Sequence, residues 1–136
     1  QVWCLKEIDN TLFCGHNNGT YIIQKDQVKL ISNYAGTWDI KKIKTDKNIL
    51  LQGNYGGLSI LEKKNNQWKL KNKIEGFDIS SRFFEFITDT QILVNHWLIG
   101  NFVWDIESEY KEVLNKKVEK SKGLGTSRVN YKKDSV

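Results

Sequence analysis

Apolar and polar residues alternate along this chain in short runs, and the runs come in an order that repeats. Leu12-Phe13-Cys14 leads into Gly15-His16-Asn17-Asn18-Gly19 and then a second apolar run, Tyr21-Ile22-Ile23. About forty residues on, Ile49-Leu50-Leu51 leads into Gly53-Asn54-Tyr55-Gly56-Gly57 and Leu58-Ser59-Ile60-Leu61. A third copy reads Ile92-Leu93-Val94, Asn95-His96-Trp97-Leu98-Ile99-Gly100, Phe102-Val103-Trp104. Short apolar runs bounded by turn residues are strands, and a period of roughly forty residues built from them marks a propeller array.

The openings of the units follow the same order. Trp3-Cys4-Leu5-Lys6-Glu7-Ile8 and Trp38-Asp39-Ile40-Lys41-Lys42-Ile43 open the first two. Ser81-Arg82-Phe83-Phe84-Glu85-Phe86 stands in that place in the third, and its Ser-Arg recurs as Ser127-Arg128. A glycine precedes each opening, at Gly36, Gly76 and Gly123, where the chain leaves an outer strand and turns sharply toward the axis. Four strands per unit are predicted: residues 2–8, 11–15, 20–24 and 27–32, then 38–44, 48–53, 57–63 and 66–73, then 82–87, 91–96, 101–106 and 109–118. The turns fall at Asp9-Asn10, Asn17-Asn18-Gly19, Lys25-Asp26, Thr45-Asp46, Gly56-Gly57, Asn65-Asn66 and Thr88-Asp89-Thr90. Segment 108–120 has a helix-favouring composition, but its place in the repeat makes it an outer strand.

The fold class is therefore all-β: a β-propeller fragment of three four-stranded antiparallel blades plus the first strand of a fourth. Residues 1–36, 37–76 and 77–123 are the blades and 124–136 the next first strand, together one partial propeller domain. Continuous apolar runs such as Ile49-Leu50-Leu51 fit sheets covered on both faces, as stacked blades are. The chain contains no Met, begins directly before a strand and stops inside another, so a piece of something longer is expected. Three blades of a ring leave raw sheet faces, which self-association or blades from elsewhere would cover.

Composition changes this picture little. The net charge of +5 invites a nucleic-acid reading, but the lysines gather at Lys63-Lys64, Lys69, Lys71, Lys73, Lys116-Lys117, Lys120 and Lys122, in the outer strands and their hairpins. Lysine there blunts edge-to-edge aggregation, and a solvated edge is the better reading. No apolar run has the eighteen or so residues of a membrane span, and no signal peptide opens the chain. If Ile8 pairs with Thr11, Cys14 faces Leu5 and Cys4 points to the opposite side of the sheet, which gives two free thiols; a one-residue register change would oppose the sulfurs.

The segments Leu12 to Tyr21, Gly36 to Ile43 and Leu50 to Leu58 resemble the two-component-regulator propeller repeat. Asn72 to Phe86 resembles the large propeller sensors of Bacteroidetes, the flavobacterial LuxR-type transcriptional regulators and related hybrid two-component systems. The third unit departs most, since Asn95 to Gly100 lacks paired glycines. The resemblance implies a periplasmic propeller in an inner-membrane-anchored protein, followed by a three-tyrosine domain, a membrane helix and an output module. DNA would be met only through that module, which this chain does not contain.

In a four-stranded blade the turn between the second and third strands and the link into the next blade share one rim. That gathers His16, Asn17, Asn54, Tyr55, His96 and Trp97 with Trp38, Arg82 and Arg128. Aromatic faces with Asn, His and Arg suit a sugar, another small molecule or a protein partner. Asn54 and Tyr55 are the first choice among them. Each also has a structural reading: Trp3 and Trp38 as packing between blades, the histidines as turn caps, the arginines as salt-bridge or backbone contacts. Two isolated histidines make a poor metal site, and neither a metal nor a cofactor is expected. Catalysis finds little support, because no nucleophile elbow, zincin motif or phosphate loop is present. Asp39 and Glu85 facing the axis together would be the acid and base of a propeller glycosidase or lyase, the third reading after a sensor and an interaction scaffold.

Overall fold

The computed structural model describes residues 1–120, and all their regular structure is strand. The first blade contains β1 (Val2–Ile8), β2 (Thr11–His16), β3 (Gly19–Gln24) and β4 (Gln27–Ser32). The second contains β5 (Asp39–Ile43), β6 (Asp46–Asn54), β7 (Gly57–Lys64) and β8 (Gln67–Lys73). The third contains β9 (Phe83–Thr88), β10 (Gln91–His96), β11 (Gly100–Ile106) and β12 (Val113–Lys120). Each blade is an antiparallel sheet with its strands in chain order. The propeller-blade architecture read from the repeat is thus the observed one. The expected strand in 124–136, with Gly123 and Ser127-Arg128, lies outside the described residues.

Local chemistry explains the hairpins. Asp9-Asn10 and Asn65-Asn66 both sit at positive φ, 48° and 66°, then 53° and 62°. Consecutive left-handed residues close a two-residue turn whose twist matches the flanking strands, and Asn and Asp tolerate that conformation. Most boundaries fall within a residue or two of expectation, and the differences that matter are these. β6 already begins at Asp46, so its turn is Lys44-Thr45. Gly19, placed in the rim turn, instead opens β3, as Gly57 opens β7. The outer strand expected from residue 109 starts at Val113, because residues before it form a turn with Tyr110 at φ 62°. That turn plugs the Tyr110 ring into the core and lets its hydroxyl donate to Asp89 O at 2.6 Å.

Burial arises between blades. Phe13, Ile22 and Ile31 of the first blade pack on Ile40, Leu50, Leu61 and Trp68 of the second. Leu51, Leu58 and Ile60 pack on Phe84, Ile92, Val94, Phe102 and Trp104 of the third. Leu50 and Leu51 point in opposite directions, so one continuous run serves both layers. A closed ring of buried hydroxyls and amides joins the first two blades. Thr20 Oγ1 donates to Gln52 Oε1 (2.5 Å), Gln52 Nε2 to Ser59 Oγ (3.0 Å), Ser59 Oγ to Asn54 Oδ1 (2.6 Å) and Asn54 Nδ2 to Thr37 Oγ1 (3.2 Å). Thr20 spends its hydroxyl proton on Gln52, so Thr37 donates the last bond, 2.7 Å, back to Thr20. A satisfied buried network of this kind fixes one register between the blades.

The two outward faces differ. On the first blade, the side away from the core leaves Leu5, Val28 and Leu30 exposed at 62%, 65% and 46%. On the third, the residues alternating with its core positions include the hydrogen-bonded pairs Gln91–Asp105 (2.9 Å) and Asn95–Asn101 (2.7 Å). One face is apolar, whereas the other sets polar pairs on either side of Leu93 and Val103.

A candidate ligand cleft between the second and third blades

The rim is built by the same stitch at each blade junction. Gly36 N donates to Asn17 O (2.9 Å) and Thr37 N to His16 O (3.0 Å), tying the link into the second blade to the turn of the first. Ser81 N donates to Asn54 O (3.0 Å) at the next junction. The link crosses so closely that only glycine fits beneath it. A Cβ on Gly15 would lie 2.5 Å from Thr37 O, and one on Gly53 would overlap Ser81 O. The equivalent position in the third blade is Asn95, paired in register with Phe83 as Gly53 is with Asp39.

The first junction is filled. Trp3 and Trp38 pack with ring centroids 4.6 Å apart, and Tyr55 leans on Trp38 at 4.9 Å. The Tyr55 hydroxyl accepts from Trp3 Nε1 at 2.8 Å and donates to Asn17 Oδ1 at 2.6 Å. At the second junction the equivalents are Trp38, Arg82 and Trp97. The Arg82 guanidinium lies over the Trp38 ring at 4.9 Å, as Trp38 lies on Trp3. Trp97, however, does not fold inward as Tyr55 does and stays 53% exposed. What remains is a cleft of about 500 Å³ lined by Trp38, Ser80, Arg82, Phe83, Asn95, His96 and Trp97.

Its polar groups have defined roles. Trp38 Nε1 donates to Ser80 Oγ at 3.0 Å, leaving the Ser80 proton to donate elsewhere. His96 Nδ1 accepts from Leu98 N (3.2 Å) and Ile99 N (3.3 Å), so its neutral ring carries the proton on Nε2. The ring also stacks on Trp97 at 6.3 Å and 14°. Among the described residues Arg82 makes no ion pair or hydrogen bond; its contacts are the rings of Trp38 and Phe83.

Of the nine rim residues read from the sequence, four meet at this cleft: Trp38, Arg82, His96 and Trp97. Asn54 does not: it is fully buried and belongs to the polar ring, its amide consumed by Thr37 and Ser59. Tyr55 and Asn17 are bonded to each other at the filled junction, and His16 Nδ1 caps Asn18 N at 3.0 Å there. Arg128 lies outside the described residues. Ser80, Phe83 and Asn95 complete the lining and were not singled out. The signal for Asn95 was present, as it stands where the other units have glycine.

The carboxylates considered for catalysis are engaged by lysines of the inner strands. Lys6 Nζ lies 2.9 Å from Asp39 Oδ1, and Lys41 Nζ 2.6 Å from Glu85 Oε1 and 4.0 Å from Asp39 Oδ2. The thiols are free. Burial, with Asp39 adding to it, pushes Cys4 up to about 11, and burial also raises Cys14. Both stay protonated at neutral pH, which makes poor nucleophiles. Among the described residues no three His, Cys, Asp or Glu side chains converge as a metal site requires. A wider hollow of about 800 Å³ lies at the opposite rim among Glu7, Asn10, Leu12, Ile23, Lys25 and Asp26, without an aromatic wall. No family model matches the chain, and neither a curated protein nor a solved structure does.

Proposed function

We propose that this chain is the ligand-sensing propeller segment of a membrane-anchored transcriptional regulator, LuxR-type or hybrid two-component, and that the cleft between its second and third blades holds the ligand. The observation carrying this reading is the open junction itself. Two aromatic walls, Trp38 and Trp97, stand beside hydrogen-bonding groups on Ser80, Arg82 and His96. Aromatic walls with a few convergent polar groups suit a sugar, whose ring has an apolar face and a hydroxylated edge. The regulator assignment rests on the resemblance of the repeat. A ligand there touches the 2–3 turn of one blade and the link from the other, so occupancy favours one relative placement of the two blades. That bias is the signal passed to the output module.

A ligand that binds only the native state stabilises it, by about 2.7 kcal/mol at a hundredfold excess over Kd, and so raises the melting temperature. A thermal-shift screen of plant and algal oligosaccharides is expected to give such a rise, lost in Trp97→Ala. No shift with any oligosaccharide removes the glycan reading.

A scaffold reading has its own observation, the apolar outward face of the first blade. Leu5, Val28 and Leu30 would be covered by a second copy or another blade. Concentration-dependent association in light scattering, abolished by Leu5→Lys, is expected; a monodisperse monomer throughout contradicts it.

A further inference from the structure

We infer that the ligand of this cleft is an acidic sugar, a pyranose whose ring carboxylate pairs with Arg82 while its face lies against Trp97. This deepens the proposed function and rests on it.

The internal repeat supplies the template. At the first junction a ring bearing a hydroxyl, that of Tyr55, sits against the planar group of the next blade's opening, Trp38, at 4.9 Å. The same junction one blade later presents the guanidinium of Arg82 at that opening, and among the described residues no protein ring occupies the place of Tyr55. A ring from outside the chain completes the pattern. Its hydroxyls would meet Ser80 and His96, which stand ready as donors through Oγ and Nε2.

Charge then selects among rings. The Arg82 guanidinium sits over the rings of Trp38 at 4.9 Å and Phe83 at 5.3 Å, contacts that consume none of its N–H groups in hydrogen bonds. Among the described residues no carboxylate answers it, although the other inner-strand charges on this side are paired: Lys6 with Asp39 and Lys41 with Glu85. A planar guanidinium without an ion-pair partner is a fork for a carboxylate, which takes two parallel N–H···O bonds. A neutral sugar would leave that charge without a partner.

The test is calorimetric titration of the protein at low ionic strength with uronate trimers (galacturonate, glucuronate and mannuronate), their neutral hexose counterparts of the same linkage, and sulfated counterparts. One uronate is expected to bind at least tenfold tighter than its neutral counterpart, with the advantage shrinking as salt is raised. Arg82→Gln is expected to erase that advantage, weakening the uronate at least tenfold more than the neutral sugar. Arg82→Lys, which keeps the charge and loses the fork, should retain only part of it. A uronate preference unchanged in a folded Arg82→Gln overturns the inference, as does equal or tighter binding of the neutral sugar. A sulfated trimer outbinding the uronate overturns the carboxylate assignment. Each of those results leaves the glycan-binding cleft standing; no heat with any trimer removes the underlying reading as well.

Discussion

Replacing Gly53 with alanine is expected to lower stability by about 3 kcal/mol, a fall of roughly 10 °C in melting temperature. The new Cβ would overlap the carbonyl oxygen of Ser81 and come 2.6 Å from Phe84 Cε1. Neither neighbour is free to yield. Ser81 is anchored by its own N–H on Asn54 O, and Trp38 N is bonded to Gly53 O at 2.8 Å. Phe84 is part of the core between the second and third blades. Relief therefore means lifting the link and breaking the stitch that positions Arg82. Gly56→Ala is the control: its Cβ meets only the end of the Tyr34 side chain, 2.9 Å away at Oη, and is expected to cost less than about 1 kcal/mol. Thermal melts of the two variants side by side check the claim. Equal melting temperatures would mean the link does not cross Gly53 as described.

Trp104→Ala is expected to be at least as damaging, by about 3–5 kcal/mol. The ring is 1% exposed, stacked on Phe77 at 4.5 Å and on Phe102 at 5.3 Å. Truncation opens a hole between the second and third blades, where Phe77 belongs to the link and Phe102 to β11. Trp104→Phe separates packing from polarity. Trp104 Nε1 has no hydrogen-bond partner among the described residues, so the replacement loses ring volume without orphaning an acceptor. It should recover well over half of the stability that alanine loses, measured by denaturant unfolding. An indistinguishable pair would place the energy in the indole nitrogen instead.

The blades were legible because their information is local. Period-2 patterning, Asx pairs in the hairpins and a spaced glycine each specify one short stretch, and the repeat supplies three chances to read it. The pairing of Leu5 with Cys14, and so the opposite orientation of the two thiols, followed from the hairpin at Asp9-Asn10. Residues 109–112, read as the start of the outer strand, form a turn instead, because Tyr110 turns the chain by tertiary packing, which composition does not encode. The rim was legible as a face but not in its detail. Asn54 looks like an exposed turn residue in sequence, yet it lies at the end of β6, where the link into the third blade passes over it. Its polarity serves the buried ring with Gln52 and Ser59. Tyr55 and Trp97 occupy equivalent positions and do opposite things, one closing a junction and the other leaving it open. Tyr55 leans inward on Trp38, whereas Trp97 stacks on its own neighbour His96 and stays outside.

The central claim, that the second junction is a ligand site and the first is not, is tested most directly by hydrogen–deuterium exchange. The intact protein would be compared with and without the oligosaccharide giving the largest thermal shift. Slowed exchange is expected at the amides of residues 80–83 and 95–99, with residues 16–19 and 36–38 unchanged. Protection centred on the Asn17–Tyr55 junction, or on neither rim segment, would contradict it.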